Sequence, residues 1–498
     1  MAQTVKLRSD LQVLRTVNER LMSYNVEMTE VTGGTFWKAY TPGQIAGTEV
    51  FPPISSAAQM ANLMQWYDPI ESTNPRLIKL AKEFGPVWVR VSGTWATKTY
   101  YDFDGTGMPA GYQSAMTREQ WVNLISFVDA VGAKLLISVA NCEGLHKAEE
   151  PWNPSEAEKI FSLSKELGHP IDAVEFTNEP NMMEITGFPA GYTPEHFRRD
   201  QDLFHKWVRE NYPDTLIVGP CTIDTMGTKN PGEKSAAGIG AAFGTTCSTA
   251  DLVEGCTEKL DVFSYHYYNG ISERLASMMP QMHWQPEEAT TEAYLAMAGI
   301  SARNGAPLRD KYVPGGEMWV TESGDAGGGG DTWASTYLDV LRTLNELGDF
   351  CTVTDGVIFH NTLASSDYGF LDHHDYLPRP NYFAVLLWTR LMGSTVYATG
   401  EEIREGAHVF AHSRKDGKKG LCYLVINNST TDATTVELPK DAEVYVLSGE
   451  KGLRSTVMSL NGKELVLGEN DQLPDLSGKP VSAGKLELAP ATCTFIVL

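Results

Sequence analysis

An α/β fold, a (β/α)8 barrel followed by an antiparallel β-sandwich, is the class this sequence predicts. Three observations lead there. Short apolar runs alternate with segments of helical spacing over roughly the first four-fifths of the chain, and eight such runs can be counted. Two of them run into a glutamate. Beyond Val396 the rhythm changes to short alternating strands separated by turn clusters.

In chain order, the opening residues alternate weakly (Val5, Leu7, then Leu11, Val13 and Leu14) and are expected to lend a strand to a distant sheet. Asn25-Val26-Glu27-Met28 reads as the first barrel strand. Leu77, Leu80 and Phe84 give Asn74 to Phe84 helical spacing before a second strand, Val87 to Val91. Thr117 with Gln120 three residues on has the form of a capping box, and the helix it opens carries Trp121, Leu124, Ile125 and Val128 on one face. Leu135 to Val139 is the third strand. The fourth, from Ala173, is expected to stop at Glu179, because Pro180 cannot donate to a ladder and disfavours helix in the residue before it. A helix from Thr193 through Val208 leads to a fifth strand, Leu216 to Gly219, and the sixth is Val262 to Tyr267. Met318 to Glu322 forms the seventh. A helix over Ala334 to Leu347 precedes the eighth, Gly356 to His360. The sandwich strands are His408–Ala411, Leu421–Ile426, Val444–Leu447, Glu464–Leu467 and Thr494–Val497. They are separated by turns such as Lys415-Asp416-Gly417, Asn427-Asn428-Ser429 and Asn461-Gly462-Lys463. The expected division is a catalytic barrel over 22–392 and an accessory β-sandwich from 1–21 plus 393–498.

Composition narrows the function classes. With 498 residues, 42% apolar and 21% charged, the chain suits a folded protein of one large and one smaller domain, not a disordered one. A net charge of -23 repels nucleic acid, anionic membrane and heavily sulfated polysaccharide. Seven scattered cysteines with no C-x-x-C pair fit neither a zinc ribbon nor a small disulfide scaffold, although Cys247 and Cys256 are close enough in sequence to bridge. No basic-then-apolar leader opens the chain and no run is long enough to span a bilayer. A cytoplasmic protein is expected as the sequence is written, or a secreted or periplasmic one if a leader has been removed.

The chemistry lies in the glutamates. In a barrel of parallel strands the active site is built from the strands' carboxyl ends. A glycosidase needs two carboxyl groups flanking the scissile bond, and Glu179 and Glu322 supply them. Asn178 is suited to the sugar 2-hydroxyl, and Tyr267 to donating its hydroxyl to Glu322. Gly327 to Gly330 lacks the Lys-Ser/Thr of a phosphate loop but can bring bare backbone N–H groups to an anion. Asp372-His373-His374-Asp375 contains four ligand-type residues in a row, which cannot all face one ion, so no metal site is expected there.

Five islands carry a family resemblance: Val89 to Thr94, Phe176 to Asn181, Ser264 to Gly270, Thr321 to Gly329, and Asp367 to Asp372 followed by Pro380 to Phe383. Through them the chain resembles clan A retaining glycosidases, and more narrowly glycoside hydrolase family 79, the β-glucuronidases that include heparanase. The resemblance implies Glu179 as acid/base and Glu322 as nucleophile, and Arg90 as an anchor for the nucleophile. It also implies a cradle for a glucuronate carboxylate from Gly327 and Gly328 with the Tyr368 hydroxyl. Glu27 and Glu30 are expected near the pocket. No cofactor is implied. The expected reaction is hydrolysis of terminal β-D-glucuronides by double displacement. The competing readings are a neutral-sugar β-glycosidase (xyloside or glucoside), a heparanase-type endo enzyme and a non-catalytic sugar-binding protein. Lys98, Lys147 and Lys229 are too few as candidate bases near the barrel mouth for a polysulfated substrate.

Overall fold

The structure is a computed structural model that describes residues 3–55, 57–223 and 246–498. Eight parallel strands close into a barrel in sequence order: β1 (Met22–Glu27), β2 (Trp88–Ser92), β3 (Lys134–Ser138), β4 (Ala173–Glu175), β5 (Leu216–Thr222), β6 (Val262–Ile271), β7 (Met318–Gly327) and β8 (Ile358–His360). Alternation along each strand sorts its side chains. Trp88, Leu136, Ala173, Val218, Val262, Trp319 and Phe359 fill the barrel's interior floor. Val89, Val91, Leu135, Ile137, Val174, Ile217 and Phe263 face the surrounding helices. Those helices include α1 (Pro75–Lys82), α2 (Arg118–Val131), α3 (Ser155–Glu166), α4 (Pro194–Asn211), α5 (Met297–Tyr312), α6 (Tyr337–Val353) and α7 (Pro380–Leu391). The capping box read at Thr117 is present: Gln120 N donates to Thr117 Oγ1 at 3.2 Å, and Thr117 N to Gln120 Oε1 at 2.8 Å.

Both glutamate-bearing strands differ from their sequence reading. β4 stops at Glu175, so Glu179 stands on the turn beyond it with φ at +42°, a left-handed conformation that no strand accommodates. β7 runs on to Gly327 and holds Glu322 within it. Its pairing with β6 slips by one residue, from Tyr265 opposite Val320 to His266 opposite Glu322. Since Trp319 points inward, strict alternation would send Glu322 outward; the extra residue at Thr321 reverses the phase and aims Glu322 into the barrel.

Beyond the barrel, the strand Gln12–Thr16 adds to Met392–Ala398 at one end of a nine-stranded sheet that includes His408–Arg414, Leu421–Asn427, Ala442–Ser448 and Thr492–Val497. A three-stranded sheet faces it, in which Gln3–Lys6 runs parallel to Thr434–Leu438. Val5, Val409, Tyr423, Val436, Leu488 and Ile496 fill the space between the two. The other face of the large sheet packs on α6, where a Cβ added to Gly348 would come 2.5 Å from the Phe410 ring. The strand expected over Glu464–Leu467 is reduced to the two-residue Lys463–Glu464. None of the seven cysteines is in a disulfide, so Cys247 and Cys256 are not bridged. Among the described residues no helix is long and apolar enough to cross a membrane.

Candidate active site

At the carboxyl ends of the strands lies a cleft of about 320 Å³ whose polar floor is formed by Glu27, Asn178, Glu179, Tyr268, Glu322 and Tyr368. Its organising charge is Arg90, buried on the inward face of β2. The Arg90 Nε donates to Glu175 Oε2 at 2.8 Å, Nη1 to Glu322 Oε2 at 3.2 Å and Nη2 to Asn178 Oδ1 at 2.8 Å. One rigid guanidinium thus ties β2 to β4, β7 and the turn that carries Glu179. The bond to Asn178 Oδ1 leaves that side chain's amide N–H groups for the cleft.

A carboxylate oxygen of Glu179, one of Glu322 and a ring nitrogen of His266 lie within 4.8 Å of one another. An approach this close is compatible with the ~5–5.5 Å carboxyl separation of retaining glycosidases and falls short of the ~6.5–9.5 Å that leaves room for a water in inverting ones. His266 sits between the pair. Its Nε2 faces the Arg90 Nη2 at 3.2 Å and can only accept there, so the proton is on Nδ1, which donates to Glu179 Oε1 at 3.0 Å. Burial, offset by the Glu322 charge and reinforced by Arg90, pulls the His266 pKa down to about 4 and keeps the ring neutral.

The two glutamates have different surroundings. Burial pushes the Glu179 pKa up to about 7, against the pull of Arg90. Glu322 instead accepts from three donors: Arg90, the Tyr268 hydroxyl at 2.5 Å and Asn361 Nδ2 at 3.3 Å. Two carboxyls held in such different environments suit the separate parts of proton donor and charged nucleophile.

The donor to Glu322 is therefore Tyr268, not Tyr267 as the sequence reading had it. The Tyr267 ring faces outward against Phe350, and its hydroxyl bonds Asn269. Alternation explains this: Phe263, Tyr265 and Tyr267 share the outer face of β6, while Ser264, His266 and Tyr268 share the inner one. That phase was available in the sequence and would have found His266 as well. Glu175, the partner of Arg90, and Asn361, which also donates to the Tyr368 hydroxyl at 3.0 Å, are two further residues that sequence reasoning did not single out. Neither sits in a motif that marks it.

Glu27 lines the cleft, and its pKa is raised well above the ordinary carboxyl range by burial and then by the charge of Glu322. Glu30 lies behind it, accepting the Glu27 backbone N–H at 2.6 Å, with burial lifting its pKa to about 8. Gly93 is needed here: a Cβ at that position would lie 1.7 Å from Glu27 Oε2. Gly327 and Gly328 border the cleft beside Tyr368. Gly328, Gly329 and Gly330 have φ of +91°, +90° and +83°. Arg274 Nη1 holds the carbonyls of Gly328 and Gly330 at 3.2 and 2.8 Å. A trans peptide sets its N–H opposite its C=O, so the Gly329 amide is turned away from that arginine.

Of the candidate bases, Lys98 lines the cleft, Lys147 is ion-paired to Glu143, and Lys229 lies outside the described residues. The Asp372–Asp375 run forms a local polar loop: Asp372 accepts from the His374 N–H at 2.9 Å and from Arg379, and the His373 ring meets the Ala364 carbonyl. Two triads of metal-ligand type, Glu175–Cys221–His266 and Glu179–His266–Glu322, share His266. The Arg90 guanidinium against that ring opposes a cation at either one.

No family model matches the chain. It is 24% identical over 485 residues to heparanase-like protein 1 of Arabidopsis thaliana, covering 86% of this chain and 85% of that one. The chain is thus similar to a heparanase-like protein along most of its length. It is also 24% identical over 478 residues to baicalin-β-D-glucuronidase of Scutellaria baicalensis (85% and 83% covered). A hyaluronoglucuronidase of Hirudo nipponia is 25% identical over 473 residues (86% and 90% covered). The likeness to glycoside hydrolase family 79 therefore extends over most of the chain. Among solved structures, a 4-O-α-L-rhamnosyl-β-D-glucuronidase from Fusarium oxysporum superposes with a TM-score of 0.65 at 11% identity, covering 100% of both chains. An α-L-arabinofuranosidase from Thermotoga maritima gives 0.61 at 14% identity and 99% coverage of both. These distant likenesses establish the shared barrel-and-sandwich fold.

Proposed function

We propose that this heparanase-like chain is a retaining β-glucuronidase that removes terminal β-D-glucuronides by double displacement. The observation that carries the reading is the approach of the Glu179 and Glu322 carboxylates to within 4.8 Å. Glu322 attacks the anomeric carbon while Glu179 gives its proton to the leaving oxygen. Glu179, now a carboxylate, then takes a proton from the water that releases the sugar from Glu322. The neutral Nδ1–H of His266 supports Glu179 most in its charged form, during the second half. The Asn178 amide meets the 2-hydroxyl, where hydrogen bonding strengthens as the oxocarbenium ion develops. Gly327, Gly328 and the Tyr368 hydroxyl bind the C6 carboxylate, with Glu27, its pKa raised by burial and by the charge of Glu322, lining the same cleft.

A polar floor with one lysine at its edge favours exo action on small conjugates over cleavage within a sulfated polymer. Residues 22–392 serve as the catalytic barrel, and 1–21 with 393–498 as its accessory sandwich.

The test compares p-nitrophenyl β-glucuronide with the glucoside and xyloside, on the wild type, Glu179→Gln and Glu322→Gln. Hydrolysis of the glucuronide alone, with retained anomeric configuration, is expected. Glu179→Gln should lose ~10²–10⁴-fold in kcat on a poor leaving group, and azide should restore turnover in it through a β-glycosyl azide. Preference for a neutral glycoside, or an inverted product, would overturn the reading.

A further inference from the structure

The leaving-group side of the cleft has a chemistry that the glycone alone does not explain. A proton donor must face the oxygen that departs, so the aglycone lies on the side of Glu179. Met182 is three residues past that glutamate, its N–H bonded to the Glu179 carbonyl at 3.0 Å, and Ile185 follows it in the cleft wall with 37% of its surface exposed. Across the opening, a hairpin of Gly34–Trp37 and Met64–Tyr67 brings in Trp37 and Met64, with Met60 just before it. Met282 completes the third side. It touches both the apolar cluster that contains Met182 and the one that Trp37 and Met60 pack upon. The wall is thus continuous, and four of its members are thioethers.

A saccharide aglycone would need donors and acceptors along this wall. The polar groups of the cleft are instead gathered on its floor, where the departing sugar's own hydroxyls and carboxylate are met. At the opening, among the described residues that line it, the polar side chains are Thr94 and Lys98. The Lys98 amine sits 5.3 Å above the Trp95 ring, and burial lowers its pKa. Thioether side chains are polarisable and conform to flat apolar partners, and an indole beside them adds a stacking face.

We propose that Met60, Met64, Met182 and Met282 with Trp37 form a subsite for a planar apolar aglycone, so that the enzyme selects aryl-type conjugates over saccharide ones. This rests on the glycosidase reading above and deepens it by naming what the sugar is attached to.

The test uses 2-naphthylmethyl, methyl and 3-linked galactosyl β-glucuronides, which all leave as alcohols, so that leaving-group acidity changes little between them. The naphthylmethyl compound should exceed the methyl one in kcat/KM on the order of 30-fold, from the apolar area it buries, and the disaccharide should do no better than the methyl compound. Met64→Gln/Met282→Gln should lower the naphthylmethyl-to-methyl ratio ~10-fold, mainly through KM, as lost uniform binding does. An unchanged melting temperature would certify the fold of that variant. A disaccharide that matches the naphthylmethyl compound, or a ratio that survives the double substitution, overturns the proposal. If glucuronides are inert but a glucoside or xyloside is cleaved, the same three aglycones on that sugar decide the question, which separates failure of the subsite from failure of the glycone assignment. If none of these glycosides is hydrolysed, both readings fall.

Discussion

Glu179 and Glu322 are the same residue type placed in unlike settings, and the burial of Glu179 should show in the pH dependence of turnover. An acid works only while protonated. With the Glu179 pKa lifted to about 7, proton donation is intact below that value and lost as pH rises through it. The kcat/KM profile for a glucuronide should therefore fall on its alkaline side near pH 7, and that limb should vanish in Glu179→Gln. Neutral His266, with its pKa near 4, stays uncharged across the range and should add no limb there. The two neighbouring tyrosines give a sharper test. Tyr268→Phe removes a charge-assisted bond to Glu322 and should lower kcat/KM by ~10–100-fold, whereas Tyr267→Phe, which breaks a contact with Asn269 on the outside of the barrel, should leave it within ~2-fold. Parallel kinetics on the two variants check this.

At the level of elements, the site depends on two local departures from regularity: the turn that lifts Glu179 beyond β4 and the one-residue slip that rotates Glu322 inward on β7. Helix α6 shows the complementary constraint, being pressed between barrel and sheet along nearly its whole length. Its buried charges pair along the helix, Arg342 donating to Asp339 at 2.6 Å and pairing with Glu346, while Asn345 donates outward to the Leu295 carbonyl at 2.9 Å. Small size is obligatory at Gly348. Gly348→Leu should overpack that seam against Phe410 and destabilise the protein by ~1–3 kcal/mol, with little change in kcat for the molecules still folded. The urea midpoint, read alongside active-site titration, distinguishes these two effects.

At the scale of the whole molecule, barrel and sheet share one core. Phe410, Leu424, Leu447 and Phe495 of the sheet belong to the same apolar cluster as Leu341, Leu344 and Phe350 of α6. Residues 22–392 produced alone should expose that face and aggregate, and should recover as a monodisperse species only with the remaining strands present. The net charge of -23 acts over the same scale. It predicts that any cleavage of a polyanionic chain speeds up as salt screens the repulsion, while turnover of a small glucuronide changes little between 20 and 200 mM salt, concentrations at which the screening length falls from about 20 Å to about 7 Å.

Local sequence was enough to set the strand–helix rhythm, the switch to turn-punctuated strands near residue 395, the capping box at Thr117 and the two candidate carboxylates with Arg90 and Asn178, because periodicity, turn chemistry and side-chain type are properties of neighbours along the chain. It was not enough to end β4 at Glu175, to turn Glu322 inward, or to bring Glu175 and Asn361 into the site, whereas the choice of Tyr268 over Tyr267, and His266 with it, was already written in the alternation of β6. Those outcomes depend on which face of a strand looks inward after a slip in pairing, and on partners up to 336 residues apart, as Asn25 and Asn361 are. Only closure of the barrel supplies such neighbours, and with them the burial that raises the Glu179 pKa and the donors that converge on Glu322.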